Sequence, residues 1–314
     1  MEPNSKLYIA GHAGLLGSAL IRELNSQGYK NLITRTSKEL DLRDQRTTQS
    51  LFGEEKPDYV FLAAAKVGGI KSNIERPAEF LYDNTQIQNN VIEASRIFGA
   101  KKLIFFGSNC AYPRECPQPM KEEFLFKGEL EPTNEAYAIA KLSGIKLCDF
   151  YNTQYGTNFI TAIPASLFGQ NDNFNLETSH LIPAFIKRFH DAKVSNLEEV
   201  VLWGSGNQRR EVMYVDDAAK AAIFLMDNYN FRSPINIGID IDYSVKELAE
   251  IVKQIVGYKG EIFFDITQPE GVPRKLLDSS KINELGWKST TSIKEGLSKT
   301  YSWFLDNIKM CDRE

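Results

Sequence analysis

Apolar, β-branched runs alternate with helical patterns through the first half of the chain. "KLYIAG" (6–11), "NLITR" (31–35), "DYVFLAA" (58–64), "KKLIFFG" (101–107) and "NFITAIP" (158–164) each read as a strand. Between them, residues 13–28, roughly 78–98 and 134–156 carry helical spacing, the first with leucines on one face. The strands are apolar along their whole length rather than alternating, which predicts a parallel sheet covered on both faces. The second half changes texture. Long loops (170–180, 204–214) separate short strands ("VVLWG", "PINIG", "EIFFD") and helices such as "SVKELAEIVKQIV" (244–256). The expected architecture is α/β: a doubly wound parallel sheet over residues 1–165, rejoined by segments near 205–240, with a smaller α/β lobe over 166–314. A cleft is expected between the two.

Composition narrows the function. The chain has 314 residues, 37 Lys plus Arg against 41 Asp plus Glu, and a net charge of −4. It shows no basic stripe, so nucleic acid and anionic membrane are not expected partners. No apolar run approaches the ~20 residues that a bilayer requires, and no leader pattern opens the chain, so a cytoplasmic protein is expected. The four cysteines (110, 116, 148, 311) fit no zinc spacing and no disulfide framework, so no metal is expected, and a cysteine that matters would act as a thiol.

"GHAGLLG" places Gly11, Gly14 and Gly17 directly after the first strand, where a helix opens. Gly11 permits the tight turn, Gly14 lets backbone approach a pyrophosphate, and Gly17 lets helix pack on strand. This predicts a Rossmann-type dinucleotide site. NAD enzymes usually end the second strand with an acid that bonds the ribose. Here that end carries Arg35, then Ser37 and Lys38, which suit a 2′-phosphate and predict NADPH/NADP+.

"YAIAK" sets Tyr137 and Lys141 four apart on one helix face, with Ser108 29 residues before the tyrosine. A phenol has a pKa near ~10, which a nearby ammonium lowers, while a serine hydroxyl can bond a substrate carbonyl. Together they predict carbonyl/alcohol interconversion against a nicotinamide. Cys110 stands two residues beyond Ser108. If the strand continues, the two share a face.

These residues resemble the extended short-chain dehydrogenase/reductases. Within that superfamily the resemblance is to the family of GDP-L-fucose synthases, which act on GDP-4-keto-6-deoxy-mannose by 3,5-epimerisation and 4-keto reduction. The words that carry it are "AAAKVGGI" (63–70), "GSNCAYP" (107–113), "EPTNEAYAIAK" (131–141), "HLIPAFIKRFH" (180–190), "VLWGSGNQRREVMYVDD" (201–217) and "GVPRKLLD" (271–278). The resemblance implies Cys110 and His180 as the epimerisation acid/base pair. A ketone at carbon 4 acidifies the protons on carbons 3 and 5, and a thiol can remove them, the better beside a cation. His12 and His190 read as structural. The resemblance further implies cofactor contacts from Leu15, Leu16, Lys141, Pro164, Ser166, Leu167 and His180. It implies GDP-sugar contacts from Arg188, Trp203, Arg210 and Asp278, although Lys187 and Arg209 are equally placed for two of these. A homodimer built on helices 78–98 and 134–156 is implied as well. Family members often carry Arg where this chain has Ala13, and Asn where it has Ser166. A 4-epimerase holding NAD, or a silent scaffold of the same fold, are the competing expectations. Arg35 and Cys110 speak against the first, and the retained Tyr137 and Lys141 against the second.

Overall fold

The computed structural model describes residues 1–268 and 271–311. Five of the expected strands form β1 (Leu7–Ala10), β2 (Leu32–Ile33), β3 (Tyr59–Leu62), β4 (Lys102–Phe106) and β5 (Phe159–Pro164). With β10 (Ile235–Ile237) they make one six-stranded sheet, ordered β10-β5-β4-β3-β1-β2, and every pairing is parallel. Each residue of β1 and β4 is buried, as a sheet covered on both faces requires. The covering helices are α1 (Leu15–Ser26), α2 (Gln45–Glu55), α4 (Pro77–Ile97), α5 (Glu135–Tyr155) and α7 (Val215–Asn228), with the short α3 (Ile70–Glu75) ahead of α4. Helix α1 packs on α7, and α4 packs on α2 and α5.

Two details differ from the pattern reading. Strand β2 is only two residues long and lies at one edge of the sheet, with a single neighbour to pair with. Helix α2 was not foreseen. Its sequence is mostly polar, but Asp44 caps it by accepting from Thr47 N, and Leu51 and Phe52 bury one stripe. One strand residue looks out of place: Lys102 is buried on β4. Its Nζ donates to the carbonyls of Leu225 and Met226, which closes the exposed end of α7.

A second hydrophobic core lies beyond the sheet. Helices α6 (Leu181–Val194), α8 (Val245–Val256) and α10 (Ile293–Asp306) enclose Phe174, Phe189, Leu248, Val252 and Phe304. Helix α8 buries Val245, Leu248, Ala249, Val252 and Val256, the i, i+3, i+4, i+7 stripe of an amphipathic helix. A Ser244–Glu247 capping box starts it, and Gly257, at φ +76°, ends it. Truncating Leu248 to alanine removes about 2–5 kcal/mol. Strands β7 (Glu199–Trp203) and β12 (Glu261–Asp265) pair in parallel against this core. Strand β6 (Ser166–Phe168) pairs with β9 (Val212–Tyr214). A three-stranded sheet of β11 (Tyr243–Ser244), β8 (Arg209–Arg210) and β13 (Arg274–Lys275) faces the carboxyl end of β4.

Candidate active site

The site grows from the carboxyl ends of the parallel strands, where α/β sheets take their ligands. Gly11 follows β1 at φ +82°, and a Cβ there would lie 2.7 Å from the Ala64 backbone. A Cβ at Gly17 would lie 2.0 Å from the Gly11 carbonyl oxygen. Both glycines are demanded by the fold itself. Gly14 is different. A Cβ there would meet only the Gly11 oxygen, at 3.5 Å, so this glycine leaves a face open rather than filling a contact. It is the N-cap of α1 and supplies no side-chain acceptor to the first-turn amides of Leu15, Leu16 and Gly17. An uncapped helix N-terminus behind an open glycine fits the diphosphate of a dinucleotide. His12 Nδ1, in the same turn, is buried without a hydrogen-bond partner among the described residues.

At the end of β2, Arg35 donates from Nη1 to the Thr34 carbonyl and from Nη2 to Glu55 Oε1, each at 2.8 Å. The guanidinium is half-exposed and shared with α2. Ser37 and Lys38 are exposed beside it. The nearby acid, Glu39, is turned back on Thr36, whose amide and hydroxyl hold its carboxyl below the usual range.

After β4 the chain enters a one-turn 3₁₀ helix, Asn109–Ala111, capped by Ser108. Ser108 and Cys110 are therefore not alternate residues of a strand. They meet because Ser108 Oγ accepts the Cys110 amide at 3.2 Å. Tyr112 secures the turn from below by donating to Asn236 Oδ1 on β10 at 2.7 Å. Helix α5 carries Tyr137 and Lys141 to this turn and brings the Tyr137 hydroxyl close to Ser108. The lysine does not lower the phenol as the spacing suggested. Burial pushes Tyr137 well above the ordinary phenol, the nearby Cys110 adds to the rise, and Ser108 opposes it. Lys141 is itself buried, which lowers it to about 8, and its Nζ donates to the Phe106 carbonyl at 2.8 Å. Pro164 closes β5, and Ser166 and Leu167 open β6 alongside. Ser166 Oγ accepts from Asn109 Nδ2 at 3.4 Å.

The opposite wall holds the cations. Lys275 Nζ lies 3.5 Å from Cys110 Sγ, and Asn134 Nδ2 donates to the same sulfur at 3.2 Å. Sequence reading passed over both residues, although each lies inside a word already singled out. Arg210 donates to the Arg209 carbonyl and faces Cys110 and Glu131 across the cleft. Its neighbour Arg209 is drawn away by Asp242 at 2.8 Å. On α6, Lys187 is likewise held by Asp191 at 2.7 Å, beside a half-buried Arg188. His180 is the N-cap of α6, and its side chain is exposed. The loop ahead of it is tied to the first core by the Gly69 amide, which donates to the Thr178 carbonyl at 2.9 Å. Trp203 stands half-exposed at the end of β7, and Asp278 caps the turn at Ser280. His190 is buried and within 3.1 Å of the Tyr301 hydroxyl, a packing role. Among the described residues no His, Cys, Asp and Glu cluster could hold a metal.

A family model described as the NAD dependent epimerase/dehydratase family matches residues 7–238. The chain is 50% identical over 312 residues to GDP-L-fucose synthase 1 of Arabidopsis thaliana, covering 99% of this chain and 96% of that protein. Among solved structures it is similar to a GDP-L-fucose synthetase from Naegleria fowleri bound to NADP, with a TM-score of 0.92, 28% identity and 98% and 96% of the two chains covered. It is also similar to a GDP-mannoheptose C4 reductase from Campylobacter jejuni with NADP bound, with a TM-score of 0.89, 42% identity and 97% and 99% covered.

Proposed function

The chain belongs to the NAD dependent epimerase/dehydratase family, and on that premise we propose that it makes GDP-L-fucose from GDP-4-keto-6-deoxy-D-mannose, with NADPH as reductant. The observation that carries this reading is the single turn that sets Ser108 beside Cys110, with Tyr137 of α5 close to both. Two chemistries then share one carbonyl.

Cys110 removes the protons at carbons 3 and 5, and His180 returns protons on the opposite face. The carbon 4 ketone is the electron sink for both inversions. Ser108 bonds the carbonyl oxygen, and Tyr137 gives it a proton during reduction. Its raised pKa suits a donor that stays protonated at neutral pH. NADPH supplies the hydride. Gly14, Leu15, Leu16 and Arg35 would hold its phosphates and Lys141 its nicotinamide ribose, with Pro164, Ser166 and Leu167 beside the ring. Arg188, Arg210, Trp203 and Asp278 would hold the GDP-sugar. Supporting Arg210 over Arg209 is the carboxylate that already occupies the latter.

The test is to incubate the protein with NADPH and the keto sugar, follow nicotinamide absorbance, and identify the product by NMR. A second reading, reduction of a GDP-heptose at carbon 4 without epimerisation, draws on the Campylobacter likeness. It requires no proton exchange at carbons 3 and 5.

The chain works as a cytoplasmic homodimer in this reading. Ile139 and Phe150, 11 apart on one face of α5, are exposed together with Tyr82 on α4. Light scattering of the purified protein tests the dimer. No helix among the described residues is long and apolar enough to cross a membrane.

A further inference from the structure

Strand β13 runs parallel to β8 with Lys275 directly beside Arg210. Like charges set side by side on neighbouring strands repel, more strongly where water is partly excluded. An anion near them removes that repulsion. The group they share is Cys110. Lys275 Nζ lies 3.5 Å from its sulfur, and Arg210 is within electrostatic reach of it. Asn134 Nδ2 reaches the sulfur from α5's leading end at 3.2 Å. A thiol is a weak acceptor and a common core filler, so a filler cysteine has no use for this ring of donors. A thiolate has.

We propose that Lys275 is a positioning residue for epimerisation, holding the Cys110 sulfur in place and compensating its negative charge while it takes protons from carbons 3 and 5. The inference rests on the epimerase–reductase reading above. In each inversion a C–H bond breaks, the proton passes to Sγ, and the bonding pair moves onto the carbon 4 oxygen. The enolate then takes a proton from His180 on the other face, and before the second inversion Sγ loses its proton to solvent and His180 takes one back. The hydride step draws on a separate pair of residues, Ser108 and Tyr137.

Two variants and two readouts test this. Lys275→Met keeps the length and loses the charge, while Lys275→Arg keeps the charge. The first readout needs no substrate. Iodoacetamide is applied at pH ~7, and alkylation of the Cys110 peptide is timed by mass spectrometry. Alkylation should be about tenfold slower in Lys275→Met, the size of one charge-assisted contact, and largely restored in Lys275→Arg. The second readout is deuterium entry at carbons 3 and 5 of the keto sugar in heavy water, divided by the rate of NADPH oxidation. That ratio should fall in Lys275→Met and recover in Lys275→Arg. NADPH binding by both variants reports that they are folded. Unchanged alkylation in Lys275→Met overturns the proposal, whatever happens to exchange. Slower alkylation in a protein whose wild type shows no exchange overturns the epimerase reading, and this role with it, while leaving the Lys275–Cys110 contact standing.

Discussion

Arg35 Nη2 lies 2.8 Å from Glu55 Oε1, so the cation that ends β2 is already engaged by a carboxylate from α2. A 2′-phosphate would have to share or displace that carboxylate. Both side chains are about one-third exposed, and such a pair contributes only about 0–1 kcal/mol. A phosphate contact is worth more, roughly 1.5–3 kcal/mol. Arg35→Ala should therefore weaken NADPH about tenfold to a hundredfold and NADH far less. Glu55→Gln should tighten NADPH by up to about fivefold. Calorimetric titration of both cofactors against both variants checks this. Equal losses for NADPH and NADH in Arg35→Ala would mean that the residue does not read the phosphate.

The glycines of the first turn should separate by role. Gly17→Ala forces a Cβ to 2.0 Å from the Gly11 oxygen, so backbone must move and the cofactor-free protein should melt earlier, by several degrees. Gly14→Ala meets nothing nearer than 3.5 Å and sits at φ −81°, which any residue adopts. It should leave the cofactor-free melting point near wild type and still weaken NADPH. A large drop in the melting point of Gly14→Ala would show that its open face belongs to the fold and not to a ligand.

Lys141 links the site to pH. Burial lowers it from 10.5 to about 8. Below that value the ammonium is charged in both folded and unfolded chains. Between about 8 and 10.5 the unfolded chain binds the proton and the folded chain does not. Stability contributed by this group therefore rises with pH across the window, by up to ~1.4 kcal/mol per unit. Lys102, also lowered to about 8 by burial, acts in the same direction, so the comparison is with Lys141→Met. Urea midpoints of the cofactor-free proteins should diverge in favour of wild type as pH rises through the window. Parallel midpoints would contradict the depressed value.

The parallel sheet was legible because its strands are apolar without alternation, and helix α8 because it keeps one spacing from cap to cap. What escaped was whatever depends on two distant segments meeting. Strands β8, β11 and β13 are two residues each, too short for any periodicity to appear. Lys275 approaches Cys110 across 165 positions, and Arg35 approaches Glu55 across 20. Motif words pointed to the thiol, the phenol and the histidine, since those lie near the ends of readable elements. They could not say that Arg209 and Lys187 are occupied by Asp242 and Asp191. They also missed the sign of the Tyr137 shift, because i, i+4 spacing reports proximity to Lys141 but not burial.

That sign leads to the reduction step. Tyr137 is pushed up by burial, so it should serve as a proton donor over the whole neutral range. Tyr137→Phe removes the proton and keeps the ring that packs edge-on against Phe80 at 6.4 Å. NADPH oxidation should fall by roughly 10²–10⁴ while NADPH binding stays close to wild type. Stopped-flow absorbance with the keto sugar measures the first quantity and fluorescence titration the second. Near-normal oxidation would remove Tyr137 from the chemistry.

Cys110→Ser puts the inversion step to the same kind of test. The hydroxyl keeps nearly the same shape but is too weak an acid to cycle as a base near neutrality. Lys275 and Asn134 would still surround it, so the change is confined to the chemistry of one atom. Exchange of the carbon 3 and carbon 5 protons with heavy water should stop. Reduction at carbon 4 should continue, because Ser108, Tyr137 and Lys141 are intact, and the product should be an unepimerised 6-deoxyhexose on GDP. His180→Asn should differ in kind. Removing a proton needs only the base, so some exchange at carbon 3 should persist while inversion fails to complete. Mass spectrometry and proton NMR of recovered sugar distinguish the two patterns. Wild-type exchange in Cys110→Ser would return this cysteine to the role of a packing residue and leave the ring of donors around it unexplained.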